Sequence, residues 1–311
     1  MSVVSCQLSA LYSHKDSNIR KTWLLISIFL LLIIGVGWFL SYYFGSPVIL
    51  YIAVFISISM SVGSYWWSDK LVIAMSHAKP IEKSDAPELY RIVENLCITA
   101  GLPLPKIYII DEQAMNAFAT GRNPEHAVVA VTRGLLDRLD KSELEGVIAH
   151  EISHIGNRDM LVSTVVVVLA GIVVMAADIM FRHMLWGRFG GRRDSRDSGQ
   201  SGAILMIIGI AVMIIAPLLA QLIKLAVSRK REFLADASGA LLTRHPDGLA
   251  SALEKISQDP YKLSVANNAT AHLYFENPFK GDKSHGEGVS WFVKLFMTHP
   301  PVEERIKALR G

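Results

Sequence analysis

The residues best suited to chemistry lie in Val147–Ile155, which contains the pattern His-Glu-x-x-His. On an α-helix, side chains four positions apart share one face, so His150 and His154 can direct their imidazoles at one point. Two neutral imidazoles placed in this way suit a zinc ion, which takes nitrogen ligands at about 2.0–2.1 Å. Glu151 can reach a water at the metal and accept its proton, so the pattern favours metal-assisted hydrolysis.

The alternative is a surface helix that carries two unrelated histidines. Asp140 followed by Glu143 resembles a helix-start box, which places the pattern within one helix. An apolar stripe in and before this helix indicates that one face is buried (Leu135, Leu136, Leu139, Leu144, Val147 and Ile148). The metal interpretation is therefore favoured.

Hydrolytic zinc sites usually have three protein ligands, and the third must come from another part of the chain. A third histidine six positions after His154 is excluded, because Met160 stands there. The candidates are several histidines and four acids (Glu232, Glu254, Glu276 and Glu287). Glu232 is favoured, because Asp236 one helical turn later could accept a hydrogen bond from a ligating imidazole. The alternative for Glu232 is a salt bridge with Arg229 or Arg231 at a helix end.

The composition indicates a membrane protein. Of 311 residues, 51% are hydrophobic and 19% are charged, whereas about a quarter is charged in soluble domains. The net charge of +3 is too small to suggest a nucleic-acid partner. Cys6 and Cys97 form neither a disulfide framework nor a zinc ribbon, which fits a catalytic region in a reducing compartment.

The first apolar region predicts a transmembrane hairpin at residues 22–68, after a polar leader at 1–21. No charged residue lies between Thr22 and Ser68, and Phe44-Gly45-Ser46-Pro47 divides the region into two segments of about 20 residues, each long enough to span. A cleaved signal peptide is the weaker alternative, because the apolar run is too long. Lysines and arginines flank the hairpin on both sides, which predicts that both flanks are cytoplasmic.

The remaining chain divides into a catalytic region interrupted by a second apolar hairpin. Residues 69–159 predict a helix from Pro87 to about Gly101, three short strands and the metal helix, which is an α+β plan; the strands are Lys106–Ile110, Asn116–Thr120 and Ala127–Thr132. Residues 160–227 predict the second hairpin, whose Gly/Arg-rich loop would lie outside against the positive-inside rule, so shallow insertion and buried core helices stay open. Residues 228–311 predict helices near 229–243, 246–257 and 301–310.

Four runs of residues resemble the HtpX family of bacterial membrane zinc endopeptidases, which are related to the CAAX prenyl proteases. They are Asn116–Gly121, Glu145–Ile155 with Asn157-Arg158-Asp159, Arg231–Ala237, and Thr298-His299-Pro300-Pro301 with Arg305-Ile306. The resemblance covers nearly the whole chain beyond residue 20. The leader is longer than the family pattern, so its role is open.

The resemblance implies an α+β membrane protein, mostly helical, with two transmembrane hairpins around a zincin-like catalytic domain that has a small β-sheet. It implies that one zinc ion is held by His150, His154 and Glu232, and that Glu151 is the general base. Asp236 would orient a ligand, and His299 would stabilise the oxyanion or orient substrate. An edge strand would pair with a substrate peptide (Asn116, Ala117, Phe118 and Ala119).

The function expected on this basis is membrane-bound, zinc-dependent cleavage of misfolded or damaged proteins, membrane proteins among them, as part of a stress response. The location expected is the bacterial inner membrane, with the catalytic domain and both termini cytoplasmic, and the partners are protein substrates and the lipid bilayer. Two alternatives remain: a CAAX-type prenyl endopeptidase, and a non-enzymatic multi-span metal transporter or structural membrane protein. An inactive relative is also open.

Overall fold

The structure, a computed structural model, describes residues 3–165, 229–264, 274–275 and 300–311, with side chains from residue 16 onward. The strands are β1 (Lys79–Pro80), β2 (Lys106–Ile110), β3 (Ala117–Thr120) and β4 (Val128–Thr132). The helices are α1 (Val3–Phe44), α2 (Pro47–Trp66), α3 (Ser68–Met75), α4 (Pro87–Ala100), α5 (Arg133–Arg138), α6 (Lys141–Gly156), α7 (Arg229–Thr243), α8 (Pro246–Ser257) and α9 (Val302–Arg310), with a 3-10 turn at Pro124–His126.

Helices α1 and α2 pack against each other and meet at the predicted break. Gly45 has a φ of 64°, and Pro47 begins α2, where its missing N–H is not needed. The spans Asp16–Phe44 and Pro47–Trp66 are long and apolar enough to cross a membrane. Helix α1 continues through the expected boundary at residues 21–22, so the leader and the first apolar segment form one helix.

The four strands form a small mixed sheet in the order β1-β2-β4-β3. Strands β2 and β4 are parallel, while β1 pairs antiparallel with β2 and β3 pairs antiparallel with β4. The three predicted strands are confirmed to within one residue at their ends. Strand β3 lies at one edge of the sheet, beside helix α6.

Helix α6 lies at the centre of the region that follows the apolar hairpin, where α4, α7, α8 and β3 pack around it. Its N-terminus has the predicted capping box, since the Asp140 carboxylate accepts from the Glu143 N–H at 2.9 Å and the Glu143 side chain accepts from the Asp140 N–H. A Cβ at Gly146 would lie 2.7 Å from the backbone nitrogen of Leu249 in α8. Glycine at this position therefore lets α6 and α8 approach closely.

The second predicted hairpin lies mostly outside the described residues. Only its first part is described, as a helical stretch at 159–165. Its Gly/Arg-rich loop and its second apolar segment fall in 166–228, and His299 falls in 276–299, so these predictions also lie outside the described residues. Within the residues that the structure describes, the chain is mostly helical, with a small mixed sheet and two candidate membrane helices.

Candidate metal centre

Helices α6 and α7 bring the three predicted ligands together. The Nε2 atoms of His150 and His154 lie 3.1 Å apart, and their rings are nearly perpendicular, at 88°. From α7, the Glu232 carboxylate lies 3.8 Å from Nε2 of His150 and 3.7 Å from Nε2 of His154. One ligand atom from each of the three residues lies within 4.8 Å of the other two.

These distances fit a zinc ion. Ligands at about 2.1 Å from a tetrahedral zinc lie about 3.4 Å from one another, and the three measured separations lie close to that value. Glu254, a rival for the third ligand, instead pairs with Arg310 at 2.5 Å. Two other rivals, Glu276 and Glu287, lie outside the described residues. The donor set of two imidazoles and one carboxylate is one that zinc uses in hydrolytic sites.

Asp236, one turn after Glu232 on α7, contacts His150. Its Oδ1 atom accepts from Nδ1 of His150 at 2.9 Å, which leaves Nε2 to face the centre. The guanidinium of Arg305 donates to both oxygens of Asp236, at 2.8 and 2.7 Å. Burial alone would raise the pKa of Asp236, but the hydrogen bonds from Arg305 and His150 lower it to about 2.

Asp159 has the same relation to His154, and sequence reasoning gave it no role. Its Oδ2 atom accepts from Nδ1 of His154 at 3.0 Å. Its Oδ1 atom accepts from Nδ2 of Asn18 at 2.7 Å and lies 3.3 Å from Nε of Arg231. The signal in the sequence was the Asn157-Arg158-Asp159 run, five positions beyond the second histidine, but its partners come from distant segments.

The charges around the centre favour a cation there. Burial lowers the pKa of His150 to about 4, in spite of its contact with Asp236. Burial also acts against the charged form of His154, but the hydrogen bond to Asp159 and the nearby charge of Glu232 raise its pKa to about 9. The carboxylates thus stabilise positive charge at this point, and a divalent cation can supply that charge in place of a proton.

Glu151 follows the first histidine on α6 and is 3% exposed. Its negative charge is close enough to contribute to the raised pKa of His154. The carboxylate of Glu151 is therefore close to the His154 side chain.

Strand β3 presents alternate main-chain groups away from β4. The Thr132 N–H donates to the Asn116 carbonyl, so in an antiparallel pair the main-chain groups of Ala117 and Ala119 point to the opposite side. The Ala117 carbonyl already accepts a hydrogen bond from the Phe275 N–H at 2.8 Å. The Phe118 side chain is fully buried against the ring of Tyr274, at 5.2 Å between centroids.

Phe275 connects this edge strand to the metal centre. Its ring centroid lies 5.0 Å from that of His150 in an edge-on arrangement, and the Arg305 guanidinium lies 4.9 Å from the same ring. Arg305 is fully buried, and the sequence indicated it only as a member of the C-terminal run that resembles the HtpX family. Arg305 and Phe275 are therefore site residues that sequence reasoning missed.

Comparison with known proteins gives the family. The sequence model of peptidase family M48 matches residues 83–311, which include the metal helix and Glu232. A protease HtpX homolog from Thermoanaerobacter pseudethanolicus is 46% identical over 304 residues, or 97% of each chain. One from Thermococcus sibiricus is 47% identical over 93% of this chain and 95% of its own. The crystal structure of S. mikatae Ste24p aligns with a TM-score of 0.48 and 19% identity, over 96% of this chain and 67% of that one. The chain therefore belongs to peptidase family M48, among its HtpX proteases.

Proposed function

We propose that His150, His154 and Glu232 hold the single zinc ion of this membrane-bound metalloendopeptidase. Peptidase family M48 is zinc-dependent, and the observation that supports the assignment is the convergence of three ligand atoms within 4.8 Å. When bound, the zinc ion supplies a Lewis acid that polarises a scissile carbonyl and acidifies water.

Glu151 is the general base in this proposal. Its carboxylate accepts the proton of the attacking water and then donates it to the leaving amine. Asp236 and Asp159 hold the Nδ1 protons of His150 and His154, so each Nε2 lone pair is directed at the metal. His299 is the proposed oxyanion donor or substrate-orienting residue, by resemblance to the family.

We propose that substrate pairs as an extended strand with the outer edge of β3. Asn116 begins the stretch, Phe118 fixes it in the core, and Ala117 and Ala119 direct main-chain groups outward. Main-chain pairing accepts many side-chain sequences, which suits an enzyme that clears misfolded proteins. The Ala117 carbonyl is engaged by Phe275, so an incoming strand pairs at Ala119 or displaces that contact.

The proposed substrates are misfolded or damaged proteins, including membrane proteins, and the proposed location is the bacterial inner membrane. The catalytic domain lies against the hairpin, since the Arg122 guanidinium is 4.5 Å from the Trp66 ring near the end of α2. Basic residues flank the hairpin on both sides, which supports cytoplasmic placement of the catalytic domain and both termini.

Neither alternative function is favoured. The match to a peptidase family covers residues 83–311, and relatives that are 46–47% identical over most of their length are named proteases. A metal transporter or structural membrane protein explains neither fact. A CAAX-type prenyl endopeptidase would share the chemistry and differ in substrate.

The test is a Glu151→Gln variant, with Glu145→Gln on the same helix as its control. Glu151→Gln should keep one zinc per chain, because it leaves the ligands intact, and should lose about 10²–10⁴-fold in cleavage of an unfolded protein substrate in detergent. Glu145→Gln should cleave like the wild type. A Glu151→Gln variant that contains zinc and cleaves at the wild-type rate would refute the mechanism.

A further inference from the structure

The N-terminal helix reaches the metal centre through Asn18. This residue lies before the apolar part of α1 and is 3% exposed. Its Nδ2 group donates to the Asp159 carboxylate at 2.7 Å and to the Asn157 carbonyl at 3.0 Å. Both acceptors lie just beyond the end of α6, about 140 positions away in the sequence. Both N–H groups of the Asn18 side-chain amide thus donate hydrogen bonds to the segment that follows the metal helix.

The Asp159 carboxylate is held from both sides. One oxygen faces Nδ1 of His154 at 3.0 Å, and the other receives Asn18 at 2.7 Å, with Nε of Arg231 at 3.3 Å. Because a carboxylate is planar, fixing one oxygen also fixes the direction in which the other accepts. The orientation of the His154 imidazole therefore depends on a residue of α1 as well as on α7.

A neutral donor is suited to this position. The amide of Asn18 fixes Asp159 without adding charge, so the carboxylate remains a strong acceptor for the imidazole N–H. Asp159 is itself 3% exposed, and a buried carboxylate needs such partners to remain charged. Loss of the amide would let the carboxylate turn toward Arg231 and away from His154.

We propose that Asn18 is a positioning residue for the zinc centre, which acts through Asp159 and His154 and makes the N-terminal helix necessary for full metal affinity. The inference rests on the proposed function, since it takes His154 as a ligand. It gives a role to the polar leader at residues 1–21. Removing a residue that bonds directly to a metal ligand lowers metal affinity about 10–100-fold, and Asn18 acts one step further out, so we expect a loss at or below the lower end of that range.

The experiment compares Asn18→Leu with Thr22→Val in the full-length, detergent-purified protein. Thr22 is the matched control, because it is fully buried one turn later on α1 and its hydroxyl donates only to the Asn18 carbonyl among the described contacts. Three quantities are measured for each variant: zinc affinity by chelator competition, the visible spectrum of the cobalt-substituted protein, and the melting temperature without metal.

Asn18→Leu should lower zinc affinity about 3–10-fold, because Asp159 itself remains, and should shift the cobalt spectrum, whereas Thr22→Val should change neither. If Asn18→Leu melts at a temperature well below that of Thr22→Val without metal, the zinc and cobalt measurements are made on Asn18→Ser instead. The shorter serine side chain leaves Asp159 without this hydrogen bond and disturbs the packing less. Zinc affinity and a cobalt spectrum equal to those of Thr22→Val would overturn the inference.

A parallel His154→Ala variant separates this inference from the proposed function. If His154→Ala retains zinc with wild-type affinity, the ligand assignment itself is wrong, and the inference fails with it. If His154→Ala loses zinc while the Asn18 variants keep it, the ligand assignment stands and only the role of Asn18 is refuted.

Discussion

At the scale of single residues, several buried carboxylates in the described part of the catalytic domain are each met by more than one donor. Asp236 receives a guanidinium and an imidazole, and Asp159 receives an imidazole and an amide. Glu143 accepts from Lys255 at 2.6 Å while it caps α6. Buried charges require such partners. The buried carboxylates next to the metal centre and the one that caps α6 are therefore stabilised in the same way, by hydrogen-bond donors.

Asp259 provides a pH test of this rule away from the metal. Arg138 donates to both of its oxygens, at 2.7 and 3.1 Å, and the Met115 N–H donates at 2.5 Å. Burial would raise its pKa, but these hydrogen bonds lower it below the ordinary value. The ionised Asp259 carboxylate therefore contributes its full stabilisation of the folded state above the unfolded-state pKa of about 3.9. This contribution is lost as the pH falls through the lower folded-state pKa.

Asp259→Asn should lower the free energy of unfolding by about 1.5–3 kcal/mol at pH 7, since it weakens charged hydrogen bonds in a buried position. The difference from the wild type should shrink as the pH falls below 4. Melting temperatures of the metal-free protein between pH 3 and 7 measure this. A difference that grows toward acid pH would show that Asp259 is not stabilised as a carboxylate.

The sequence predicted the residues that lie one helical turn apart and missed the partners that tertiary contacts supply. His150 and His154 share a face by spacing, as do Glu232 and Asp236, so helical geometry alone groups them. Asn18 meets Asp159 across 141 positions, and Arg305 meets Asp236 across 69. No local pattern encodes such pairs.

At the scale of elements, the crossing of α6 and α7 sets the distance between the histidines and Glu232. The two helices approach closely at Gly239, where an added Cβ would lie 3.0 Å from the backbone nitrogen of His150. The helix-start box predicted where α6 begins, and the sequence predicted α7 near residues 229–243. The sequence predicted neither the crossing of the two helices nor the continuation of α1 through the leader, because both depend on packing between elements.

Gly239→Val should move α7 away from α6 and so withdraw Glu232 from the histidines. We expect a destabilisation of about 1–3 kcal/mol from overpacking, together with weaker zinc binding. Ala237→Val is the control, because Ala237 is exposed on the same helix and should change stability by less than about 0.7 kcal/mol. Chelator competition and thermal melting test both variants. Unchanged zinc affinity in Gly239→Val would contradict this role of the crossing.

At the scale of the whole molecule, the apolar hairpin and the catalytic domain contact each other at two points. Arg122 stacks on Trp66 at the end of α2, and Asn18 of α1 bonds to the segment after α6. The antiparallel hairpin brings these two contacts to the same end.

The proposed orientation can be measured by cysteine labelling. Burial raises the pKa of Cys97 to about 11, so its thiol should react little at neutral pH. In a Cys6→Ser background, Ser46→Cys in the hairpin turn should react with a membrane-impermeant maleimide in intact cells, whereas Lys141→Cys at the start of α6 should react only after the membrane is opened. Labelling of Lys141→Cys in intact cells would contradict a cytoplasmic catalytic domain.

The zinc content of purified Glu232 and Glu254 variants tests the central claim most directly. Both acids were candidates for the third ligand, but Glu232 faces the two histidines, whereas Glu254 pairs with Arg310. The wild type and Glu254→Gln should contain one tightly bound zinc per chain, and Glu232→Gln should lose it at the same chelator concentration. A Glu232→Gln variant that retains one zinc with wild-type affinity would contradict the account.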